Sequence, residues 1–202
     1  MAKKPARRQL EGAKFLTPTF RASFMNVFEP KAFEDGDDEK YSVDMLWNKK
    51  KSDLSAFKKK IDELAVKAWG KDKAKWPKNY RPPFKDGDEK EDAEAYAGHV
   101  YAKADSTQPP GIYNEDKEDI INKREFVSGD FARASIYIQP YENVGGKGLE
   151  GRSGMKFYLQ GIQRVKKGEP LGVTNSKNDF EVVENEEGES SDDTEDEEDG
   201  GF

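Results

Sequence analysis

Residues 131–138 read FARASIYI, and this short stretch decides the fold. Alternate side chains of a β-strand lie on opposite faces, so the stretch divides into two sets. One set is small or aliphatic and suits the interior of a tight barrel: Ala132, Ala134, Ile136 and Ile138. The other set is aromatic or polar and includes a cation: Phe131, Arg133, Ser135 and Tyr137. The sequence therefore predicts a strand with one buried and one exposed face.

Two further segments, residues 100–104 and 155–161, divide in the same way. Their inward sets are apolar: Val100, Ala102 and Ala104 in the first, and Met155, Phe157, Leu159 and Gly161 in the second. Their outward sets again place rings beside cations: Tyr101 with Lys103, and Tyr158 with Lys156 and Gln160. Three segments thus predict strands of one β domain.

The outward faces combine what a single-stranded nucleic acid requires. Unpaired bases stack on aromatic rings, which contributes about 1–3 kcal/mol per base, and the phosphate backbone needs positive charge. Duplex DNA hides its base faces, so exposed rings would gain little there, whereas RNA could use the same surface. Tyrosine and lysine are also common on the solvated face of any strand. It is the agreement of three strands that favours binding.

The N-terminal part predicts two more strands. Residues 15–28 alternate as one continuous strand, whose apolar face places Phe20 and Phe24 in the core. Residues 41–47 alternate as a second strand, with Trp47 inside.

A helix is predicted between the second strand and residue 70. Apolar residues recur at spacings of three and four from Leu54 to Ala68, which lays one apolar stripe along a helix. Ser52 is its predicted N-cap and Gly70 its predicted stop.

The remaining connections read as loops. Residues 71–98 are irregular and interleave cations with rings, so Tyr80, Arg81 and Phe84 are binding candidates within a loop. Pro140 predicts the end of the strand that contains residues 131–138, and the glycine-rich residues 142–154 predict a hairpin loop.

Charge is distributed unevenly along the chain, which carries a net charge of −7. Residues 178–202 contain 13 of the 41 acidic residues and none of the 34 basic ones. Residues 1–177 therefore hold 34 basic against 28 acidic residues, which suits a polyanionic ligand. This predicts three parts: a flexible basic arm (1–12), one binding domain (13–184) and a disordered acidic tail (185–202).

Composition also excludes several kinds of site. Without cysteine there are no disulfides, zinc–thiolate sites or thiol nucleophiles, and His99 is the only histidine. No apolar run approaches the roughly 20 residues needed to span a bilayer. We therefore expect no membrane association, no metal and no cofactor.

Several short motifs resemble a family of phage single-stranded DNA-binding proteins, long catalogued only as a domain of unknown function. The family is related to the helix-destabilising proteins of podophages. The motifs are FVSG (126–129), FARAS (131–135), GIQRV (161–165) and GEPLG (168–172), with RASF (21–24) and RPPFKDGD (81–88) upstream. The resemblance spans residues 15–172. It implies a mainly β fold, namely a five-stranded oligonucleotide-binding barrel (OB-fold) with one packed helix, and sequence-tolerant binding of single strands.

The expected function is to bind and protect single-stranded DNA during phage replication, recombination and repair, in the cytoplasm of the infected bacterial host and without catalysis. The rings expected to stack on bases are Tyr80, Phe84, Tyr101, Phe131, Tyr137 and Tyr158. The cations expected to hold phosphates are Arg21, Arg81, Lys103, Arg133 and Lys156. The resemblance also implies that the acidic end, with Glu198, Asp199 and Phe202, docks a replication partner such as the phage polymerase or helicase. A homodimer is possible.

Two alternatives stay open. Asp105 together with Glu115-Asp116-Lys117 has an acid-x-Lys spacing that some metal-dependent nucleases use. Alternatively, the acidic tail could make the chain a DNA mimic that acts only through protein contacts. Deleting the tail distinguishes a DNA mimic from a strand binder, because a mimic loses its function whereas a strand binder gains affinity.

Overall fold

A computed structural model describes residues 10–32, 36–90, 94–143 and 151–172. Three predicted features therefore lie outside the described residues: most of the basic arm, the centre of the hairpin loop, and the whole acidic tail with Glu198, Asp199 and Phe202. Of the predicted arm, residues 10–12 are described. Leu10 is buried there, and its carbonyl accepts a hydrogen bond from the Gln139 side-chain amide. This end of the predicted arm therefore packs against the sheet.

The described residues contain one α-helix, α1 (Ser55–Trp69), and nine strands that belong to one sheet. The strands are β1 (Ala13–Leu16), β2 (Phe20–Lys31), β3 (Lys40–Asn48), β4 (Tyr80–Arg81), β5 (Lys85–Asp86), β6 (His99–Ser106), β7 (Gly111–Tyr113), β8 (Phe131–Asn143) and β9 (Arg152–Lys166). Short 3₁₀ turns cover 73–75, 87–89 and 94–96. The predicted mainly β fold with one helix is confirmed.

The five long strands pair in a circuit. β2 pairs with β3, β3 with β6, β9 with β8, and β8 with β2, all antiparallel. The remaining step, from β6 to β9, is parallel and joins Asp105 to Tyr158. The apolar faces of these strands meet inside the circuit, where they form the core.

Helix α1 packs its apolar stripe against this core. Phe57 is fully buried, and its ring centroid lies 4.7 Å from that of Phe15 and 5.3 Å from that of Phe157. The helix begins two residues later than predicted, since Leu54 rather than Ser52 is at the N-cap position; the Ser55 backbone N–H donates to Asp53 Oδ1 at 2.9 Å. Gly70 ends it as predicted, with a φ of 90°. No helix in the described ranges is long and apolar enough to cross a membrane.

The predicted inward faces are confirmed on all three strands, with one exception. The four inward residues of 132–138 are fully buried, and so are Ala102 and Ala104. On β9 the register shifts between the pairs Ser135–Gly161 and Ile136–Leu159. An irregularity of this kind changes which parity faces inward. Ile162 is therefore the buried residue where Gly161 was predicted.

Two predicted strand boundaries are wrong. Residues 15–28 do not form one strand, because Thr17-Pro18-Thr19 separates β1 from β2. Here the Pro18 carbonyl accepts from Trp47 Nε1 at 3.3 Å. Pro140 does not end β8, which continues to Asn143 along β9. Beyond Ile138, β8 is no longer paired with β1, and proline is tolerated in a strand where its missing N–H would face an unpaired side.

Candidate nucleic-acid interface

The outward sides of β6, β9 and β8 form one surface, which we call the outer face. It consists of Tyr101, Lys103 and Asp105 on β6, Lys156 and Tyr158 on β9, and Tyr137 on β8. The strands are joined here by register, since Tyr158 is the partner of Asp105 on one side and of Tyr137 on the other. Side chains two apart on a strand are separated by about 6.6 Å. The predicted rings and cations of three strands thus meet on one surface.

Tyr158 is the most accessible ring of the outer face, with 43% of its surface exposed. The Lys156 ammonium lies 5.5 Å from the centroid of that ring and 2.7 Å from a carboxylate oxygen of Asp105. The cation is therefore held beside the ring, where it can meet the phosphate of a nucleotide whose base stacks on Tyr158.

A cleft of about 1080 Å³ opens beside the β6 end of the outer face. Its walls come from β2, from residues 87–97, from the turn before β8 and from the turn after β9; they include Arg21, Phe24, Lys90, Tyr96, Ser128 and Leu171. Arg21, a predicted phosphate ligand, lies in this wall. Its Nη2 donates to the Glu169 carbonyl at 2.9 Å and its Nε to the Gly129 carbonyl at 3.3 Å, so its guanidinium is fixed by backbone.

Two turns far apart in sequence interlock behind Arg21, and we call this contact the clasp. It joins Ser128–Asp130 to Gly168–Leu171. The Asp130 carboxylate is fully buried and accepts from the Gly168 N–H at 2.9 Å, while the Leu171 N–H donates to the Ser128 carbonyl at 2.9 Å. A Cβ at Gly129 or Gly168 would collide with the backbone of the opposite turn. The FVSG and GEPLG motifs are therefore the two halves of one structural contact.

Phe24 corrects a sequence-based prediction. Its parity on β2 placed it in the core with Phe20, but 62% of its surface is exposed, whereas Phe20 is buried. The register between β2 and β3 shifts after Ser23, and Phe24 has a φ of 41°. This irregularity turns the Phe24 ring out of the core and toward the cleft.

Three rings surround the ammonium of Lys90, and we call this group the ring cluster. The Lys90 Nζ lies 3.6 Å from the ring centroid of Tyr96, 4.7 Å from that of Phe24 and 5.1 Å from that of Tyr101. Only Tyr101 was predicted as a site residue. Lys90 and Tyr96 lie in an irregular, acid-rich stretch without periodicity, so no sequence pattern indicated them.

The cluster is anchored on one carboxylate, that of Asp44. Its Oδ2 accepts from the Tyr96 hydroxyl at 2.7 Å and lies 3.5 Å from the Lys90 ammonium. Burial raises the pKa of both tyrosines, and the nearby negative charge of Asp44 adds to the rise. Both rings are therefore neutral at physiological pH. Tyr96 is buried, so of the two only the half-buried Tyr101 is accessible to a base.

Phe131 and Arg133 lie at the beginning of β8, six and four residues before Tyr137. Phe131 is the register partner of Arg21, and the Lys166 ammonium lies 4.4 Å from its ring centroid. Arg133 donates from Nε to the Gln163 side chain at 2.9 Å and borders a small apolar pocket that also contains Leu16. Arg133 shares the parity of Tyr137 on β8, and both predicted residues lie nearer to the beginning of that strand.

Of the three binding candidates predicted in the loop, two are packed against other rings and one is exposed. The Tyr80 ring is half-buried, with its centroid 5.4 Å from that of Trp69 and 5.2 Å from that of Trp76. Phe84 packs on the core, with ring centroids 5.2 Å from Phe57 and 5.8 Å from Trp47. Packing therefore occupies both rings. Arg81 lies between them on β4 and is exposed.

The acidic residues of the nuclease alternative are not grouped. Arg164 binds Glu115 through two nitrogens, at 3.0 and 2.9 Å, and lowers the pKa of that carboxyl. Asp105 is paired with Lys156. Within the described ranges, no three acidic or histidine side chains are placed to hold a metal ion together.

The chain is similar to known phage proteins. The family model described as the single-stranded DNA-binding protein of Enterobacter phage Enc34 matches residues 13–194. No curated protein matches the chain.

Two solved structures share the fold. One is the single-stranded DNA-binding protein from bacteriophage Enc34 in complex with single-stranded DNA, with a TM-score of 0.59 and 24% identity over 85% of this chain and 100% of that chain. The other is gp2.5, a single-stranded DNA-binding protein encoded by bacteriophage T7, with a TM-score of 0.58 and 14% identity over 87% of this chain and 97% of that chain.

Proposed function

The chain belongs to the family of the Enterobacter phage Enc34 single-stranded DNA-binding protein, and we propose on this premise that it binds single-stranded DNA with little sequence preference. The family resemblance inferred from the motifs is thereby confirmed. Binding would be non-covalent, with no bond chemistry and no cofactor.

The outer face is the observation that carries this proposal. It offers the exposed ring of Tyr158 with the Lys156 ammonium beside it, and a second ring and cation, Tyr101 and Lys103, on the neighbouring strand. Every base has a stackable face and every nucleotide has a phosphate, so such a surface accepts any sequence. A duplex gains little from it because its base faces are already stacked.

We interpret the circuit of five long strands as an OB-fold barrel. The order β2–β3–β6–β9–β8 returns to β2, and the apolar faces of the strands meet inside. Barrels of this kind bind nucleic acids on an outer strand face, which agrees with the position of the outer face.

The finer biological roles are also proposals. We propose that the protein protects single strands during phage replication, recombination and repair, in the cytoplasm of the infected bacterial host. The acidic end with Phe202 would dock a phage polymerase or helicase, and the protein could act as a homodimer. The sequence supports the docking role, because residues 178–202 combine thirteen acids with the aromatic Phe202.

A fluorescence titration at two salt concentrations tests the main proposal. Labelled oligo-dT, oligo-rU and a duplex of equal length are compared. We expect oligo-dT to bind much more tightly than the duplex, with an affinity that falls as salt rises. Equal affinity for duplex and oligo-dT would contradict stacking on the outer face.

Two further measurements address the alternatives. Incubation of labelled DNA with Mg²⁺ or Mn²⁺ should yield no cleavage, and cleavage that disappears in Glu115→Ala would support the nuclease alternative instead. Deleting residues 185–202 removes negative charge and should raise the affinity for oligo-dT, most clearly at low salt. A DNA mimic would lose its activity on the same deletion.

A further inference from the structure

Phe24 occupies a backbone conformation that a bulky residue rarely adopts. Its φ is 41°, in the left-handed region, and it lies in β2 where the register against β3 is interrupted. Its ring is 62% exposed, so burial in the core does not offset the strain. Residues held in such conformations cluster at ligand-binding sites.

The surroundings of Phe24 fix its ring at the rim of the cleft. The Lys90 ammonium lies 4.7 Å from the ring centroid, and the Tyr96 ring lies behind it at 6.2 Å between centroids. Lys90 and Tyr96 are in turn held by Asp44, whose side chain is only 11% exposed. The ring is therefore backed by an anchored cation on one side and remains open to solvent.

Tyr101 connects this position to the outer face. It belongs to the ring cluster through Lys90 and through an edge contact with Tyr96, at 4.9 Å between ring centroids. It also precedes Lys103 by two residues on β6, on the same face. A strand lying along the outer face would therefore reach Phe24 by continuing past Tyr101.

We propose that Phe24 is a stacking platform for one unpaired base, and that the bound strand runs from the outer face past Tyr101 into the cleft. This inference rests on the proposed function. The positive charge near the platform comes from Lys90 and from Lys85, whose ammonium lies 5.9 Å from the Tyr101 ring centroid. Asp88 also lines the cleft, but Lys49 pairs with it at 2.6 Å.

Substitutions at Phe24 test the proposal by separating the ring from the backbone strain. Phe24→Ala removes the ring and should weaken oligo-dT binding about five- to hundredfold. Phe24→Tyr keeps a stacking ring and should bind nearly as the wild type does. Phe24→Gly should bind oligo-dT as weakly as Phe24→Ala does. It should melt at a higher temperature than Phe24→Ala, because glycine adopts a positive φ without strain.

Ile121→Ala is the matched control, because Ile121 is an apolar residue with 90% of its surface exposed and lies away from the cleft lining. Its affinity for oligo-dT should stay at the wild-type value. Wild-type affinity in Phe24→Ala, or an equal loss in Ile121→Ala, would overturn the inference while leaving the proposed function intact. Failure of the proposed function shows differently, as a wild-type protein that does not prefer oligo-dT over duplex.

Discussion

The two regions around Phe24 and Phe84 exchange the roles that their sequences suggest. Phe24 follows the parity of a buried strand face and is nevertheless 62% exposed, whereas Phe84 lies among prolines and lysines and packs against Phe57 and Trp47. In the first region a register shift turns the ring outward. In the second, a loop without periodicity folds back onto the core. Alternation thus assigns faces reliably only while the register is unbroken.

The largest expected effect concerns Phe84. Phe84→Ala should lower the free energy of unfolding by about 3 kcal/mol, because it removes a ring that three core aromatic residues contact. Chemical denaturation measures this loss, with Phe84→Leu as a control that retains much of the apolar volume. Below the unfolding transition, affinity for oligo-dT should stay near the wild-type value. A large loss of affinity with unchanged stability would return Phe84 to the binding surface.

The next largest effect is expected on the outer face, where substitutions should weaken DNA binding and leave stability nearly unchanged. Tyr158→Ala should weaken oligo-dT binding by about 1–3 kcal/mol and leave the melting temperature nearly unchanged, because its exposed ring adds little to packing. Tyr137→Ala should weaken binding similarly. Gln160→Ala, also exposed on β9, is the matched control. If Tyr158→Ala unfolds at a much lower temperature and binds normally, the ring belongs to the core.

The smallest effect is expected at Arg81, the exposed residue between the packed rings of Tyr80 and Phe84. Arg81→Ala should cost under about 1 kcal/mol of affinity and reduce the dependence of log K on log salt by about 0.7, the value for one lost phosphate contact on a single strand. Titrations at four salt concentrations measure the slope. An unchanged slope would show that Arg81 contacts no phosphate, and that residues 80–84 contribute to packing and not to DNA binding.

Much of the fold follows from the sequence because periodicity encodes it. The inward residues of β6, β8 and most of β9 were predicted, and so were the helix stripe and Trp47. The outer face follows from the same parities. Lys90 and Tyr96 could not be predicted, because the contact with Asp44 that positions them spans about fifty residues and leaves no local pattern.

Arg21 shows a second limit of sequence reasoning. Its charge made it a candidate phosphate ligand, but charge alone does not reveal where the guanidinium lies. In the structure two of its nitrogens donate to carbonyls of the clasp, at Gly129 and Glu169. Whether it also meets a phosphate stays a prediction.

The clasp has a consequence for how the chain folds. The contacts of Arg21 with Gly129 and Glu169 span 108 and 148 residues, so they cannot form until nearly the whole domain has been synthesised. Contacts of such sequence separation slow folding, because a long loop must close before any of them is gained. On the ribosome, β1, β2, β3 and α1 emerge first, and β2 keeps an open edge until β8 is synthesised. We therefore expect the nascent chain to be most vulnerable to aggregation during that interval.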